Sequence, residues 1–518
     1  MIIILNEEQQ NESTVLEHQL FEDFPNIVII TKSSQNSYKL STTKYGGKYN
    51  HTEELYLNIW HNASFRSDRH LFSNKISDME GRNLKIVTFN YKPYAIWTRV
   101  ESGGNAGYLE EGPESYGTVY IDGTELRACL EFCNKHNCTI SLIGVDEEEW
   151  GEIYENGTGI GILGTLSEGK VDLGVGSVYS WYHEYEFLDL SLPMVRTGIT
   201  VIAPIPKLRP GWSIPIRPFS SKLWLGLIVS IAVSIIASYI SDKFKNTPYT
   251  SIENETIFII RYLLLQPPPD ADSLKYNRFI VSGILLLALM LSNAYAGGLS
   301  SIMTIPVHDP PIDSVKDLSS KNMEWGANSD AWLYSLVAAE EPELIHLRSM
   351  FRKLNDDQLI KRQRSGDFAF SVERLPSDHF AVGDYIKEEY IDRLRLMKED
   401  IYWEQCVAMM PKSSPFLDSY NMHILRILET GLPAFWEFKV SIKYLNNKVQ
   451  LGILLSNTMH DNSGPVKLKP DHISGALIAW TLGMIISTAI FICELLVKRL
   501  GNKELYLNNI EREINFRF

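Results

Sequence analysis

Three charge-free apolar runs divide the chain. Residues 223–241 (LWLGLIVSIAVSIIASYIS) lie between Lys222 and Asp242, residues 279–307 contain ILLLALMLSNAYAGGLSSIM, and residues 473–493 read ISGALIAWTLGMIISTAIFIC. About 20 apolar residues cross a ~30 Å hydrocarbon core as a helix, and soluble helices of this length carry a polar stripe, so each run predicts a membrane span. Between the first two lies IFIIRYLLLQPPPD, residues 257–270, which holds Arg261 and stays apolar for only about ten residues before its prolines, too short to cross. Such a segment suits a re-entrant loop, where irregular backbone is tolerated because protein or a water-filled pore surrounds it. Three crossings put the termini on opposite sides. Lys498, Arg499, Lys503, Arg512 and Arg517 after the last run, with Lys243 and Lys245 after the first, place those flanks in the cytoplasm by the positive-inside rule, although Lys222 and Lys469 lie on the opposite flanks. The Asn-x-Ser/Thr sequons at Asn11, Asn50, Asn62, Asn137 and Asn156 precede the first span on the side expected to be external, while Asn254 would be internal.

The hydrophilic blocks at about 81–210 and 305–470 then share the extracellular face. The first alternates strands and helices: LKIVTF (84–89), a helix from Gly123 with Leu126, Cys129, Leu130 and Cys133 on one apolar face, Asn137 ending it, TISLIGV (139–145), a short helix near 160–168, VDLGVGSV (171–178) and GITVIAP (198–204). The second repeats the style with a helix opened by Ser314, then GDFAFSV (366–372) and QCVAMMP (405–411). Two α/β halves interrupted by a membrane insert predict a clamshell whose cleft binds a small molecule, with the insert as a gated pore.

Composition narrows the partners. The 518 residues are 45% hydrophobic and 22% charged, enough for a large core, and 49 Lys+Arg against 63 Asp+Glu leave a net charge of −14. An acidic balance argues against nucleic acid, which needs clustered basic residues. Five cysteines, Cys129, Cys133, Cys138, Cys406 and Cys493, are too few and scattered for a disulfide framework. Cys133, His136 and Cys138 form a compact C-x-x-H-x-C, but Cys133 lies on the apolar helix face and no fourth ligand is in view, so a core and helix-end role is expected rather than a metal site. Gly159, Gly161 and Gly164 satisfy G-x-G-x-x-G, yet an acidic, turn-rich stretch precedes them where a dinucleotide site needs a strand. No Ser/His/Asp, paired-carboxylate or H-E-x-x-H set supports an enzyme, and no cofactor is implied.

Several stretches resemble the ionotropic glutamate receptors, most closely their divergent arthropod chemosensory members. They are LKIVTFNYKPY (84–94), ILGTLSEGKVDLGVGSV (162–178), FLDLSLPMVRTGITVIAP (187–204) and PPIDSVKDL (310–318), and the resemblance covers about residues 80–500. The end of the second span is the most specific, because AYAGGLSSIMT (294–304) keeps Tyr295, Leu299 and Thr304 of the gate-helix pattern. The resemblance implies an α/β, periplasmic-binding-protein-like clamshell split into two halves, S1 and S2, plus an α-helical pore domain with three spans and a re-entrant loop. Its expected divisions are a short N-terminal segment 1–80, S1 81–210, pore domain 218–307 (span 223–241, loop 257–270, span 279–303), S2 308–470, a third span 473–497 and a cytoplasmic tail 498–518. It also implies a multi-pass plasma-membrane channel subunit that conducts cations, assembles as a hetero-tetramer with co-receptor subunits, and is gated by Ala294, Tyr295, Ala296, Gly297, Gly298 and Leu299. Gln266, with Asp270 beyond it, takes the tip of the pore loop.

The departures bear on the ligand. Counting back from FLD, the family's carboxylate-clamping Arg falls on Glu184, and its ammonium-accepting Glu falls on Glu373. A Glu repels the carboxylate that an Arg fork would hold, so an amine or a neutral polar odorant is expected rather than glutamate. A solvated surface role is the plain alternative for Glu184. Asp330 reads as a helix N-cap near the cleft, Tyr94 and Tyr120 as cleft or core aromatics, and Cys406 lacks the late partner with which many glutamate receptors close the second lobe. Residues 1–80 are too few for the family's amino-terminal assembly domain, and MIIILNEEQQ is no secretory signal, so a missing start is expected. Alternatives are a non-conducting partner subunit and, from another class, a solute-binding or transport protein, for which a repeat of several spans is expected.

Overall fold

The computed structural model describes residues 2–5, 24–34, 36–49, 51–68, 70–99, 106–111, 115–244, 251–266, 278–304, 308–461 and 470–515. The chain divides into two compact units, one made of residues 1–205 and 311–459 and the other of 206–310 and 460–518.

The first unit carries a small sheet of five strands near the N-terminus, in the order Ile2–Leu5, Val28–Ser34, Ser37–Thr43, Glu54–His61, Ser64–Phe65, with Ile27 and Ile29 buried against it. A fourteen-stranded sheet builds the clamshell. One lobe centres on Arg82–Thr88, which lies parallel to Cys138–Gly144 on one side and to Leu173–Tyr179 on the other. Leu173–Tyr179 is buried along its whole length, which explains why the sequence there reads as a continuous apolar run with small residues rather than an alternating one. Helices Thr124–His136, Leu417–Glu429 and Leu432–Tyr444 close this lobe around Leu84, Ile86, Phe132, Leu142, Tyr420 and Trp436. The other lobe packs Phe368, Phe370, Val372, Leu394, Leu396 and Ile453 around Ala369–Arg374.

Two long antiparallel strands join the lobes. Val195–Pro204 pairs with Ala369–Arg374 and Leu394–Leu396, and also with the first half of Tyr402–Pro411, whose second half pairs with Leu173–Tyr179 and Leu188–Leu190. A third core runs between the lobes, through Phe89, Tyr94, Trp150, Trp181, Trp325 and Trp332.

Local chemistry sets the boundaries. Asn137 ends helix Thr124–His136 in the left-handed region (φ 50°), its N–H bonded to the Cys133 carbonyl. That turn brings Cys138 back beside the helix end, and Cys133 and Cys138 form a disulfide, correcting the expected core role for this pair. His136 is occupied elsewhere, its Nδ1 2.8 Å from the Ile76 carbonyl. Ser314 and Asp317 make a capping box at the start of helix Val315–Ser320. The G-x-G-x-x-G glycines serve packing, because a Cβ at Gly164 would collide with the backbone of Gly159, and one at Gly161 with the backbone of Glu149 and Gly151.

The second unit holds three helices long and apolar enough to cross a membrane by length and composition, Ser221–Phe244, Arg278–Thr304 and the stretch His472–Arg499 of helix Pro470–Asn515. Leu225, Ile228, Met290, Ile485 and Phe491 lie exposed on them, a surface suited to hydrocarbon rather than water. The short helix Ile252–Leu263 packs Ile259 and Tyr262 against Ile284, Ile231 and Ile235 of the first two.

A buried carboxylate pins the strand end that faces the cleft. Glu125 Oε2 accepts the N–H groups of Gly176 (2.6 Å) and Ser177 (3.0 Å). Burial raises its pKa to about 7, against the lowering effect of those two bonds and with a further push from Glu373. Between its ordinary value of 4.5 and about 7 the folded state therefore keeps a proton that the unfolded chain releases, so its contribution is full at low pH and declines as the pH rises through that window. Glu125→Gln, which can still accept the N–H bonds, is expected to flatten the fall in thermal stability of the purified protein between pH 5 and pH 8, with a gain of up to about 3 kcal/mol at the upper end. A pH profile parallel to wild type would show that Glu125 does not titrate there.

Candidate cleft between the lobes

The first unit buries a carboxylate where its lobes meet. Strand Ala369–Arg374 alternates so that Glu373 points away from the Phe370 and Val372 core, and Glu373 is fully buried. It is held by three neutral hydroxyls, Tyr94 (2.7 Å), Tyr91 (3.0 Å) and Ser177 (3.1 Å). Burial, reinforced by the Glu373 charge, pushes both phenols well above the usual tyrosine range, so they remain donors. Ser177 reaches the site from a left-handed backbone (φ 55°), a strained conformation pinned by Glu125 on one side and by the Trp150 indole on the other, which donates to the Gly176 and Ser177 carbonyls. Glu373 therefore sits behind phenols. This modifies its expected role as the direct acceptor of a ligand's ammonium.

Around these phenols the interlobe space is walled by aromatic rings. Tyr91 stacks on Tyr94 (centroids 5.6 Å apart, 10° between planes), Trp150 meets Tyr91 edge-on at 5.1 Å and Trp332 at 6.3 Å, and Trp181 meets Tyr179 at 5.6 Å and Tyr334 at 5.1 Å. Tyr91, Trp150, Tyr179, Trp181, Ala331 and Trp332 enclose a cavity of about 10 Å³. A larger cavity of about 290 Å³ lies behind Tyr94, walled by Thr124, Met194, Arg196, Leu375 and Glu437 among others.

The remaining expected residues separate. Glu184, on the short helix Tyr182–Phe187, is buried with His183 Nδ1 3.4 Å away, which corrects the solvated alternative for it. Its helix directly follows Trp181 of the aromatic walls. Asp330 is not the cap: Ser329 caps the 3-10 helix Asp330–Leu336, and Asp330 pairs with Lys353 at 2.9 Å on the surface. Tyr120 belongs to another cluster, with Asp122, Lys443 and Tyr444. Cys406 is free and buried, its Sγ 3.6 Å from the Ser177 hydroxyl.

In the second unit, Tyr295 of the gate pattern donates to the Pro215 carbonyl (3.0 Å) and packs on Phe219, and Gly298 lies against Pro218. Ala294, Ala296 and Gly297 are exposed along helix Arg278–Thr304, and Leu299 is half-buried. Gln266 is exposed, its N–H bonded to the Arg261 carbonyl, while Asp270 lies outside the described residues. Of the sequons, Asn62, Asn137 and Asn156 are exposed, and Asn11 and Asn50 lie outside the described residues.

Sequence reasoning missed Tyr91, Trp150, Ser177, Tyr179, Trp181 and Trp332. Tyr91 could have been found from NYKPY, three positions before Tyr94. The others come from segments with no common motif, and only the fold makes them neighbours.

No family model matches the chain. It is similar to the kainate-type ionotropic glutamate receptor glr-3 of Caenorhabditis elegans, 22% identical over 449 residues, covering 81% of this chain and 49% of that protein. The ionotropic glutamate receptor kainate 1 of Homo sapiens is 20% identical over 476 residues (87% and 49%), and a probable glutamate receptor of Lithobates berlandieri is 22% identical over 479 residues (86% and 89%). The chain spans about half the length of these kainate-type relatives. Together with the clamshell and the three apolar helices, the similarity supports the ionotropic glutamate receptor superfamily for this chain.

Proposed function

We propose that the chain is a subunit of a ligand-gated, cation-selective channel of the plasma membrane and acts as a chemosensory ionotropic receptor, opened when the clamshell closes on an amine or neutral polar odorant. The observation that carries the ligand class is the pair of carboxylates: Glu184 stands where an amino-acid receptor of this family needs an Arg, and Glu373 is retained with neutral donors. A ligand carboxylate would meet repulsion at the first position, while an ammonium is favoured by the second.

In this reading residues 81–210 and 308–470 form the two halves of the ligand domain, 218–307 and 473–497 form the pore domain, and the tail from 498 is cytoplasmic. Closure pulls on the linkers near Pro306 to Pro310 and through them on the gate helix around Tyr295 and Leu299. A ligand opens the gate only by as much as it binds the closed cleft better than the open one. Small residues at Ala294, Ala296, Gly297 and Gly298 allow close helix approach in a tetramer with co-receptor subunits, and Gln266 offers its amide to the narrowest part of the pore. A second reading, a non-conducting partner of such a channel, draws on Arg261 in the short helix Ile252–Leu263 and on the three prolines that follow it.

Whole-cell recording separates the two. The subunit with a co-receptor should give amine-evoked cation currents, and Glu373→Ala should raise the amine concentration needed at least tenfold with surface delivery matched by biotinylation. Unchanged amine responses in Glu373→Ala would sink the ligand assignment, and a subunit that alters co-receptor currents without carrying any would favour the second reading. The orientation makes a separate demand: full-length protein from cells should lose mass on glycosidase treatment, and Asn62→Gln combined with Asn156→Gln should remove part of that shift, whereas Asn254→Gln should not change it.

A further inference from the structure

The geometry points to an aromatic box, formed by Tyr91, Trp150, Tyr179, Trp181 and Trp332, as the element that binds the primary ammonium head of the ligand through its ring faces. This rests on the channel-receptor reading above and narrows its ligand to a small alkylamine.

Four features of the cleft support the assignment. Ring faces carry negative quadrupole density, and a cation enclosed by several of them and shielded from water is attracted most strongly. The rings are held in place: the Trp150 indole donates to the Gly176 and Ser177 carbonyls, the Trp181 indole donates to the Ser335 hydroxyl at 3.2 Å, and the Trp332 ring packs edge-on against Trp150 at 6.3 Å. Such walls lose little entropy when they receive a guest. A carboxylate stands directly behind the box, because Glu373 accepts from Tyr91 at 3.0 Å and from Tyr94 at 2.7 Å. The Tyr91 hydroxyl donates a hydrogen bond to the Glu373 carboxylate, which enriches its ring face further, so Glu373 works through Tyr91 rather than by contact. Finally, the buried Trp332 Nε1–H has no partner in the structure, an unspent donor on the wall that a ligand oxygen or a water carried in with it could use.

The size of the cavity selects the head group. About 10 Å³ is the room of one water-sized group, enough for –NH₃⁺ and too little for a trimethylammonium. Tyr91 follows strand Arg82–Thr88 and Tyr179 ends strand Leu173–Tyr179 in one lobe, whereas Trp332 follows strand Trp325–Ala327, which pairs with Ala369–Arg374 of the other. The box is complete only when the lobes meet, so the cation binds the closed cleft better than the open one, as a gating ligand must.

Ethylammonium titrated into the purified full-length subunit, with intrinsic tryptophan fluorescence as the readout, tests the proposal without depending on conduction. Saturable quenching is expected, with Kd at least tenfold weaker for Trp332→Leu and for Tyr179→Leu, nearly restored by Trp332→Phe, and at least tenfold weaker for ethyltrimethylammonium on wild type. Wild-type Kd in Trp332→Leu and Tyr179→Leu would overturn the box. So would loss of ethylammonium binding only when the larger cavity is filled by Ala434→Trp. Ethylammonium binding that follows the box variants in a subunit that carries no current would uphold the box and sink the channel reading. Gating by neutral odorants without ethylammonium binding would overturn the box and leave the channel reading standing.

Discussion

A buried carboxylate left without hydrogen-bond donors is costly, and Glu373 is fully buried at the meeting of two lobes. Its three hydroxyl donors come from residues 91–94 and 177, nearly 200 or more positions earlier in the chain. Each bond to a charged group is worth about 1.5–3 kcal/mol, and leaving the group unmet costs more. The turn that supplies Tyr91 and Tyr94 and the strands that supply Ser177 and Glu373 must therefore hold one arrangement. The rest of the cleft follows from that demand: Ser177 accepts a left-handed backbone, Glu125 pins that backbone, and Trp150 closes over it.

The same constraint explains why the interlobe space is aromatic rather than open and polar. Tyrosines satisfy the charge with their hydroxyls and fill volume with their rings, so one residue type supplies both donor and wall. Once Tyr91 and Tyr94 turn toward Glu373, their stacked rings leave room for Trp150 edge-on, and Trp332 packs on Trp150 from the other lobe. The two long strands Val195–Pro204 and Tyr402–Pro411 keep the lobes joined, since each pairs with different partners along its length.

Much of the architecture was legible along the chain. Apolar runs free of charge have no other stable home than hydrocarbon or a large core, so the three long helices could be read from length alone. The buried strand Leu173–Tyr179, the helix ended by Asn137 and the helix opened by Ser314 announced themselves through local rules of burial, left-handed turns and capping. Glu373 was identifiable through resemblance. The Cys133–Cys138 disulfide was not, because its formation depends on how the turn at Asn137 aims two side chains, and spacing alone is compatible with several outcomes. Asp330 shows the same limit on a smaller scale, since Ser329 beside it has equal claim to the cap and only the backbone angles choose between them.

Taken alone, the order of residues determined the local and one-dimensional features: which segments suit a membrane, where strands and helices start and stop, and that two α/β halves flank an insert. Those features depend on periodicity, on run length and on neighbours within a few positions. The tertiary structure alone decided what the cleft is made of. Tyr91, Trp150, Tyr179, Trp181 and Trp332 lie in four separate stretches, and their faces meet only because the sheet register carries Glu373 to Tyr91, Tyr94 and Ser177. Contacts between distant segments are set by the packing of the whole unit, which is not written at any one place in the chain.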